Sequence, residues 1–170
     1  MLGMEIVVDD RRLVSRVRRQ WEAAAADRKI PSKHDIRPWL VGDDWSNCVL
    51  VRFAPMLDQW IFAIIGEALR PAGSQILGGD PIGDCPADTF LGLTLSFLPR
   101  VTASGTYFLM EGSTTILADG PILYRSILLP LSDNGGKTID AVLGAANFRK
   151  IGAEERPAAR AAAHLERRHA

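Results

Sequence analysis

The sequence predicts an α+β domain, and three features of the chain support this fold class. An amphipathic helical pattern precedes two segments rich in aromatic and β-branched residues. A middle part rich in glycine and proline then leads into a second helical pattern. Two long apolar runs finally surround a polar turn in YRSILLPLSDNGGKTIDAVLGAANF, residues 124–148. The chain has 170 residues and is 47% hydrophobic, so we expect one core with terminal extensions.

The first element is an amphipathic helix, predicted between Asp9 and Lys29. Its apolar residues fall on one helical stripe, made of Leu13, Val14, Val17, Trp21 and Ala25. Asp9 and Asp10 suit the first turn of a helix, where carboxylates are favourable. Arg28, Lys29 and Pro31 supply the signals that end it.

Two strands, over residues 47–53 and 59–66, are expected to pair because a short connection joins them. The glycine-rich stretch after them favours loops and short helical turns. A helix is predicted over residues 87–98 and is expected to end at Pro99. A strand over residues 100–110 should follow it.

The apolar hairpin near the C-terminus supplies the last two strands. Alternation places one set of apolar residues on one face of each strand, namely Ile127, Leu129 and Leu131, and then Ile139, Ala141, Leu143 and Ala145. The SDNGG segment favours a tight reversal, because Asn and Gly tolerate positive φ angles. Pro130 lacks a backbone donor and should lie at an edge or a bulge.

The charge balance argues against several kinds of partner. Lys plus Arg and Asp plus Glu each number 20, so no overall field attracts nucleic acid or an anionic membrane. The sequence contains no secretory signal and no apolar run of about 20 residues, which favours a cytoplasmic protein. Cys48 and Cys85 are too far apart for a zinc knuckle or a CxxC pair and are interpreted as free structural thiols.

Several segments resemble a bacterial PAS-related family of sensor domains. They are Trp21 within the amphipathic helix, Pro31, DI at 35–36, FAIIGEAL at 62–69, GG at 78–79 and, above all, the hairpin sequence of residues 124–148. The resemblance covers about residues 11–150. It implies a PAS-like five-stranded antiparallel sheet with helices packed on one face, plus the N-terminal amphipathic helix. It also implies a use in sensing, dimerisation or signal transmission, without a known ligand.

The expected ligand-binding residues are Phe62, Ile64, Tyr107 and Tyr124, which lie on segments that should line the sheet. Ordinary core packing is the alternative, because aromatic side chains dominate such cores. The stripe residues Leu13, Val17 and Trp21 need an apolar partner, which is either a second copy in a homodimer or the chain's own sheet.

The sequence identifies no cofactor, and neither haem nor flavin is expected. Haem needs an axial ligand in the core, whereas His34 precedes the first strand and the other two histidines, His164 and His169, lie in the tail. The segment SNCVLVRF resembles the asparagine–cysteine pair of flavin photosensors, but here the cysteine opens a strand.

The function predicted is that of a non-enzymatic PAS-like sensory or signalling-accessory domain. Its expected partner is a small molecule or a signalling protein, with no role for nucleic acid or membrane. The alternatives are a small enzyme that uses one of the isolated carboxylates Asp80, Asp84 and Glu111, or an adaptor without a ligand. The expected organisation is a helix in 1–30, a core in 31–151 and an Ala- and Arg-rich flexible tail in 152–170.

Overall fold

The structure is a computed structural model that describes residues 12–36, 42–71, 73–116 and 119–155. Within these ranges it contains three α-helices, α1 (Leu13–Ala25), α2 (Phe90–Leu95) and α3 (Leu98–Ser104). It also contains five strands, β1 (Cys48–Ala54), β2 (Gln59–Ile65), β3 (Phe108–Ile116), β4 (Gly120–Leu131) and β5 (Ala141–Lys150). Most of the predicted tail, from residue 156 onward, lies outside the described residues.

The strands form one antiparallel sheet in the order β2-β1-β5-β4-β3. The prediction of a five-stranded antiparallel sheet with helices is therefore confirmed. The apolar hairpin contributes β4 and β5, which pair without interruption from Ile122–Lys150 to Leu131–Ala141. Because β5 also pairs with β1, the hairpin joins the two halves of the sheet.

Alternate residues of the strands pack into two separate layers, one on each side of the sheet. We call one side of the sheet the α1 face, because α1 packs on it. The buried strand residues on this face are Cys48, Leu50, Ile127, Leu129, Leu131, Ala141, Leu143 and Ala145. We call the other side the α2–α3 face, because the two short helices pack on it. The buried strand residues on this face are Val49, Val51, Phe62, Ile65, Ile116, Ile122, Leu128, Val142 and Ala146. The sequence predicts helices packed on one face of the sheet, and these are α2 and α3. The N-terminal helix α1 lies on the opposite face.

Helix α1 buries the whole stripe that the sequence predicts. It ends at Ala25, earlier than predicted, because Ala26 adopts a positive φ of 50°. Arg28 still contributes to the C-terminus, since its guanidinium donates to the carbonyls of Ala24 and Ala25 at 3.0 and 3.3 Å. The predicted capping residues Asp9 and Asp10 lie outside the described residues.

The predicted helix over 87–98 and strand over 100–110 are wrong in their boundaries. Residues 90–104 form two helices, and Pro99 lies in the first turn of α3 instead of ending a helix. A proline is tolerated there because the first backbone N–H groups of a helix have no intrahelical partner. Gly105, with a φ of 65°, ends α3, and β3 begins only at Phe108.

Pro130 occupies a local edge, as predicted. It lies in β4, but β3 pairs with β4 only as far as Leu128, so no strand lies beside Pro130 on that side. The missing N–H therefore breaks no ladder hydrogen bond. The carbonyl of Pro130 instead accepts a hydrogen bond from the indole N–H of Trp21 at 2.8 Å, which fixes α1 on the sheet.

Candidate functional site

The space between the sheet and the helices α2 and α3 is filled by side chains of the chain itself. Five of them, Val51, Phe62, Leu91, Val101 and Leu128, have no exposed surface. They belong to the strands β1, β2 and β4 and to the helices α2 and α3. This interior is therefore a packed core.

One polar group in this core lacks a partner. Ser126 of β4 is 1% exposed, and its hydroxyl has no hydrogen bond within the described part of the chain. Its partners in the sheet are Met110 and Ala146, both buried. The other buried hydroxyl on this side, that of Thr94, donates to the carbonyl of Phe90 at 3.0 Å. The Ser126 hydroxyl is thus a buried polar atom of this core for which the described residues provide no partner.

The α1 face differs, because the helix covers only part of it. Beyond α1 lies an open groove with a volume of about 440 Å³. Its lining residues belong to the neighbouring strands β3, β4 and β5 and are Glu111, Gly112, Leu123, Tyr124, Arg125, Asn147, Phe148 and Arg149. We call this feature the sheet groove.

Charged and amide groups cross the sheet groove in one row. Glu111, Arg125 and Asn147 are direct neighbours on three strands. The guanidinium of Arg125 donates from Nε to Oε2 of Glu111 at 2.6 Å, so the two charges neutralise each other. Asn147 and Arg149 are exposed. The row therefore presents a carboxylate, a guanidinium and an amide side by side.

The four predicted ligand-binding residues are divided between the two faces. Phe62 and Tyr124 pack with the α2–α3 face, whereas Ile64 and Tyr107 pack with the α1 face. Tyr124 lies edge-on to Phe90, and burial raises the pKa of its phenol. Tyr107 lies edge-on to Trp21. Tyr124 also borders the sheet groove, but its side chain points to the opposite, α2–α3 face, so none of the four predicted side chains points into the groove.

The three residues predicted for a dimer interface contact the chain's own sheet. Leu13, Val17 and Trp21 are buried against β4, β5 and the start of β1. This is the second of the two partners that the sequence left open. A homodimer through this stripe stays a prediction.

Both cysteines are free thiols with suppressed ionisation. Cys48 is buried, and desolvation, with a contribution from the nearby Asp44 carboxylate, raises its pKa to about 12. Desolvation also raises the pKa of the half-buried Cys85 thiol, although a hydrogen bond with Thr89 opposes the shift. Since the thiolate is the reactive form, both environments make the thiols poor nucleophiles.

The carboxylates proposed for an enzyme do not form a cluster. Asp80 accepts a hydrogen bond from the backbone N–H of Leu77, Asp84 is exposed in a short 3-10 helix, and Glu111 is bound to Arg125. In the described ranges there is no group of three or more His, Cys, Asp or Glu side chains that could hold a metal ion. None of the helices in those ranges is long and apolar enough to cross a membrane.

Three polar residues of the site are not among those that the sequence predicts. Ser126, Arg125 and Asn147 all lie in the hairpin strands, within YRSILLPL and AANF. The available signal was a polar residue within an apolar strand, which marks either a solvated position or a buried group with a special role. Local sequence does not distinguish these two cases.

Comparison with known proteins adds little to the geometry. No protein-family model matches the chain, and no curated protein matches it. One similar solved structure is described as an RNA-binding light-oxygen-voltage receptor. The similarity has 19% sequence identity and a TM-score of 0.38, and it covers 68% of this chain and 34% of the receptor chain. This chain therefore spans about a third of the length of that receptor.

Proposed function

We propose that the chain is a non-enzymatic PAS-like signalling-accessory domain that binds a protein partner in the sheet groove. The observation that carries this proposal is the contrast between the two faces of the sheet. The α2–α3 face is filled by the chain's own side chains, whereas the α1 face keeps a groove open beside α1. The expectations of a bacterial source and a cytoplasmic location belong to the same proposal.

The chemistry of the groove suits a polypeptide. Its row of Glu111, Arg125 and Asn147 offers a carboxylate, a guanidinium and an amide at the spacing of neighbouring strands, about 5 Å. Leu123 adds an apolar contact on the same side. A strand or loop with alternating polar and apolar side chains would place a complementary group over each of these residues.

The test uses the purified full chain, compared by native and denaturing mass spectrometry. The proposal predicts no excess mass on the native subunit and a copurifying protein in defined stoichiometry. A charge reversal, Arg125→Glu, should abolish retention of that protein, because it repels Glu111 and removes the donor. The matched control is Arg52→Glu, which reverses an exposed arginine on β1 outside the groove. Equal loss in both variants, or turnover of a defined substrate that one site mutation abolishes, would overturn the proposal.

A small-molecule sensor is the second candidate, and Ser126 favours it. A buried hydroxyl without a partner costs about 1–3 kcal/mol, and a bound polar molecule would relieve that cost. In that case the native subunit carries a stoichiometric excess mass that denaturation removes. Ser126→Ala should then lower the occupancy, whereas the control Ser104→Ala, on the exposed C-terminus of α3, should leave it unchanged.

A further inference from the structure

Two phenylalanine rings meet at the surface where α3 and β3 begin. Phe97, which directly precedes α3, and Phe108, the first residue of β3, stack with 5.0 Å between their ring centroids and 17° between their planes. Both residues are half-buried, so part of each ring stays in contact with solvent. They pack against the core of the α2–α3 face, and neither lines the sheet groove. We call this pair the aromatic stack.

A positive charge lies over the aromatic stack. The central guanidinium carbon of Arg100 is 5.9 Å from the ring centroid of Phe97 and 5.7 Å from that of Phe108. The negative face of an aromatic ring attracts a cation at this distance. Arg100 is an exposed residue, so the rings restrict its side chain without burying the charge.

This charge has no acidic partner in the part of the chain that the structure describes. The interactions of Arg100 there are the two ring contacts and a backbone hydrogen bond to the carbonyl of Phe97 at 3.1 Å. The local sequence supplies no counter-ion either, because Arg100 is the only charged residue in TFLGLTLSFLPRVTASGTYFLM, residues 89–110. A guanidinium carries five N–H donors and no acceptor. These donors are therefore available to an anionic group of another molecule.

The backbone around the aromatic stack is held on both sides. Leu98 and Val101 of α3 are buried in the core. At the end of this helix, the hydroxyls of Ser104 and Thr106 form a hydrogen bond of 2.9 Å within the short connection to β3. A group whose position is already restricted loses less conformational entropy when it binds a ligand. The position of the Arg100 charge is therefore largely set before binding.

We propose that Arg100 and the aromatic stack bind an acidic segment of a protein partner, in which a carboxylate side chain neighbours an apolar one. The carboxylate accepts two parallel hydrogen bonds from the guanidinium, and the apolar side chain packs on the exposed part of the rings. A carboxylate fits better than a phosphate dianion, because no second cation of the described residues lies over these rings. Arginine and aromatic residues are also enriched at the centres of protein interfaces. The inference does not depend on the partner proposed for the sheet groove.

The deciding experiment is an NMR titration of the full chain with a capped peptide of alternating glutamate and leucine. The Nε–H signal of Arg100 and the backbone amides of residues 97–108 should shift until they saturate. A peptide with glutamine in place of glutamate should bind on the order of tenfold more weakly or worse, because it lacks the charge. Acetate at the same concentrations should not reach saturation. Equal affinity for the two peptides, saturation by acetate, or shifts confined to the sheet groove would overturn the inference, and the last result would leave the proposed function intact.

Two variants of Arg100 separate its charge from its shape. Arg100→Gln removes the charge and should weaken binding of the glutamate peptide on the order of tenfold, whereas Arg100→Lys keeps the charge, loses the planar fork and should weaken it less. The matched control Arg52→Gln removes an exposed arginine of β1 and should leave the affinity unchanged. Melting temperatures show whether the variants fold. If Arg100→Gln folds and binds like the parent chain, or if Arg52→Gln weakens binding equally, Arg100 is not the binding residue. If Arg100→Gln fails to fold, the Nε–H signal of the parent chain decides.

Discussion

The two faces of the sheet use the same strands in different ways. On the α2–α3 face, β4 contributes Ile122, Tyr124 and Leu128 to the core beneath the two helices, with the buried Ser126 between them. On the α1 face, the apolar positions Ile127, Leu129 and Leu131 give way to Arg125. One face is therefore covered by helices along this stretch, and the other is half core and half open groove.

The contacts that hold each face also differ in kind. The α2–α3 face is held by dispersion and burial, with aromatic contacts such as Phe90 against Phe148 at 4.7 Å between ring centroids. The α1 face adds directional bonds, including the one from Trp21 to Pro130 and the paired contacts of Arg16 with Asp44 at 2.6 and 2.7 Å. A single helix with few neighbours is thereby held in one position on the sheet.

The largest effect is expected from the core of the α2–α3 face. Phe62→Ala removes a fully buried ring and should lower the free energy of unfolding by about 3–5 kcal/mol. Urea denaturation measures the change. The control Met56→Ala alters a side chain that is 96% exposed and should change the stability by less than about 0.5 kcal/mol. Similar losses in the two variants would contradict the assignment of this face as the core.

A smaller effect is expected where α1 is attached. Trp21→Phe keeps most of the apolar volume but leaves the carbonyl of Pro130 without its donor, which should cost about 1–3 kcal/mol. The loss is measured by denaturation, and hydrogen exchange of the α1 amides reports whether the helix detaches before the core unfolds. An unchanged stability would mean that the indole bond does not hold α1.

A pH-dependent contribution is expected from the segment that follows α1. Desolvation disfavours the Asp133 carboxylate, but hydrogen bonds from Lys33 and Ser32 outweigh it and lower its pKa below the ordinary 3.8. Because the folded state has the lower pKa, this stabilisation is present above about pH 4 and is lost as the pH falls through the folded pKa.

Asp133→Asn tests this contact between the hairpin turn and the segment after α1. The variant should lose up to about 1 kcal/mol near neutral pH and show a weaker dependence of stability on pH below about pH 4. Denaturation curves at several pH values measure both. A parent chain and variant with parallel pH profiles would show that Asp133 does not contribute.

The smallest effect is expected in the sheet groove. Glu111→Gln removes one charge of an exposed pair and should change the stability by less than about 1 kcal/mol, because such pairs contribute little to folding. The same denaturation assay measures it. A loss as large as that of Trp21→Phe would indicate that the groove is a structural contact instead of a recognition surface.

The α1 stripe, the first strand pair and the hairpin can all be predicted from the local sequence, because helical and strand periodicities are local properties. The sequence misplaced the boundary at Pro99, because a proline fits the first turn of a helix as well as it ends one. Of the residues at the groove, it named Glu111 and Tyr124 for other roles, but not Arg125 and Asn147.

The three-dimensional packing is needed to show which face of the sheet each helix covers and where the cover stops. A periodic pattern shows that one side of a strand is buried, but not whether a helix, a loop or nothing lies above a given row of residues. The α1 cluster includes Ile127 but not Arg125, which lines the groove, and Ser126 lies buried on the opposite face between Met110 and Ala146. Both results depend on contacts between segments distant in sequence, which local propensity does not encode.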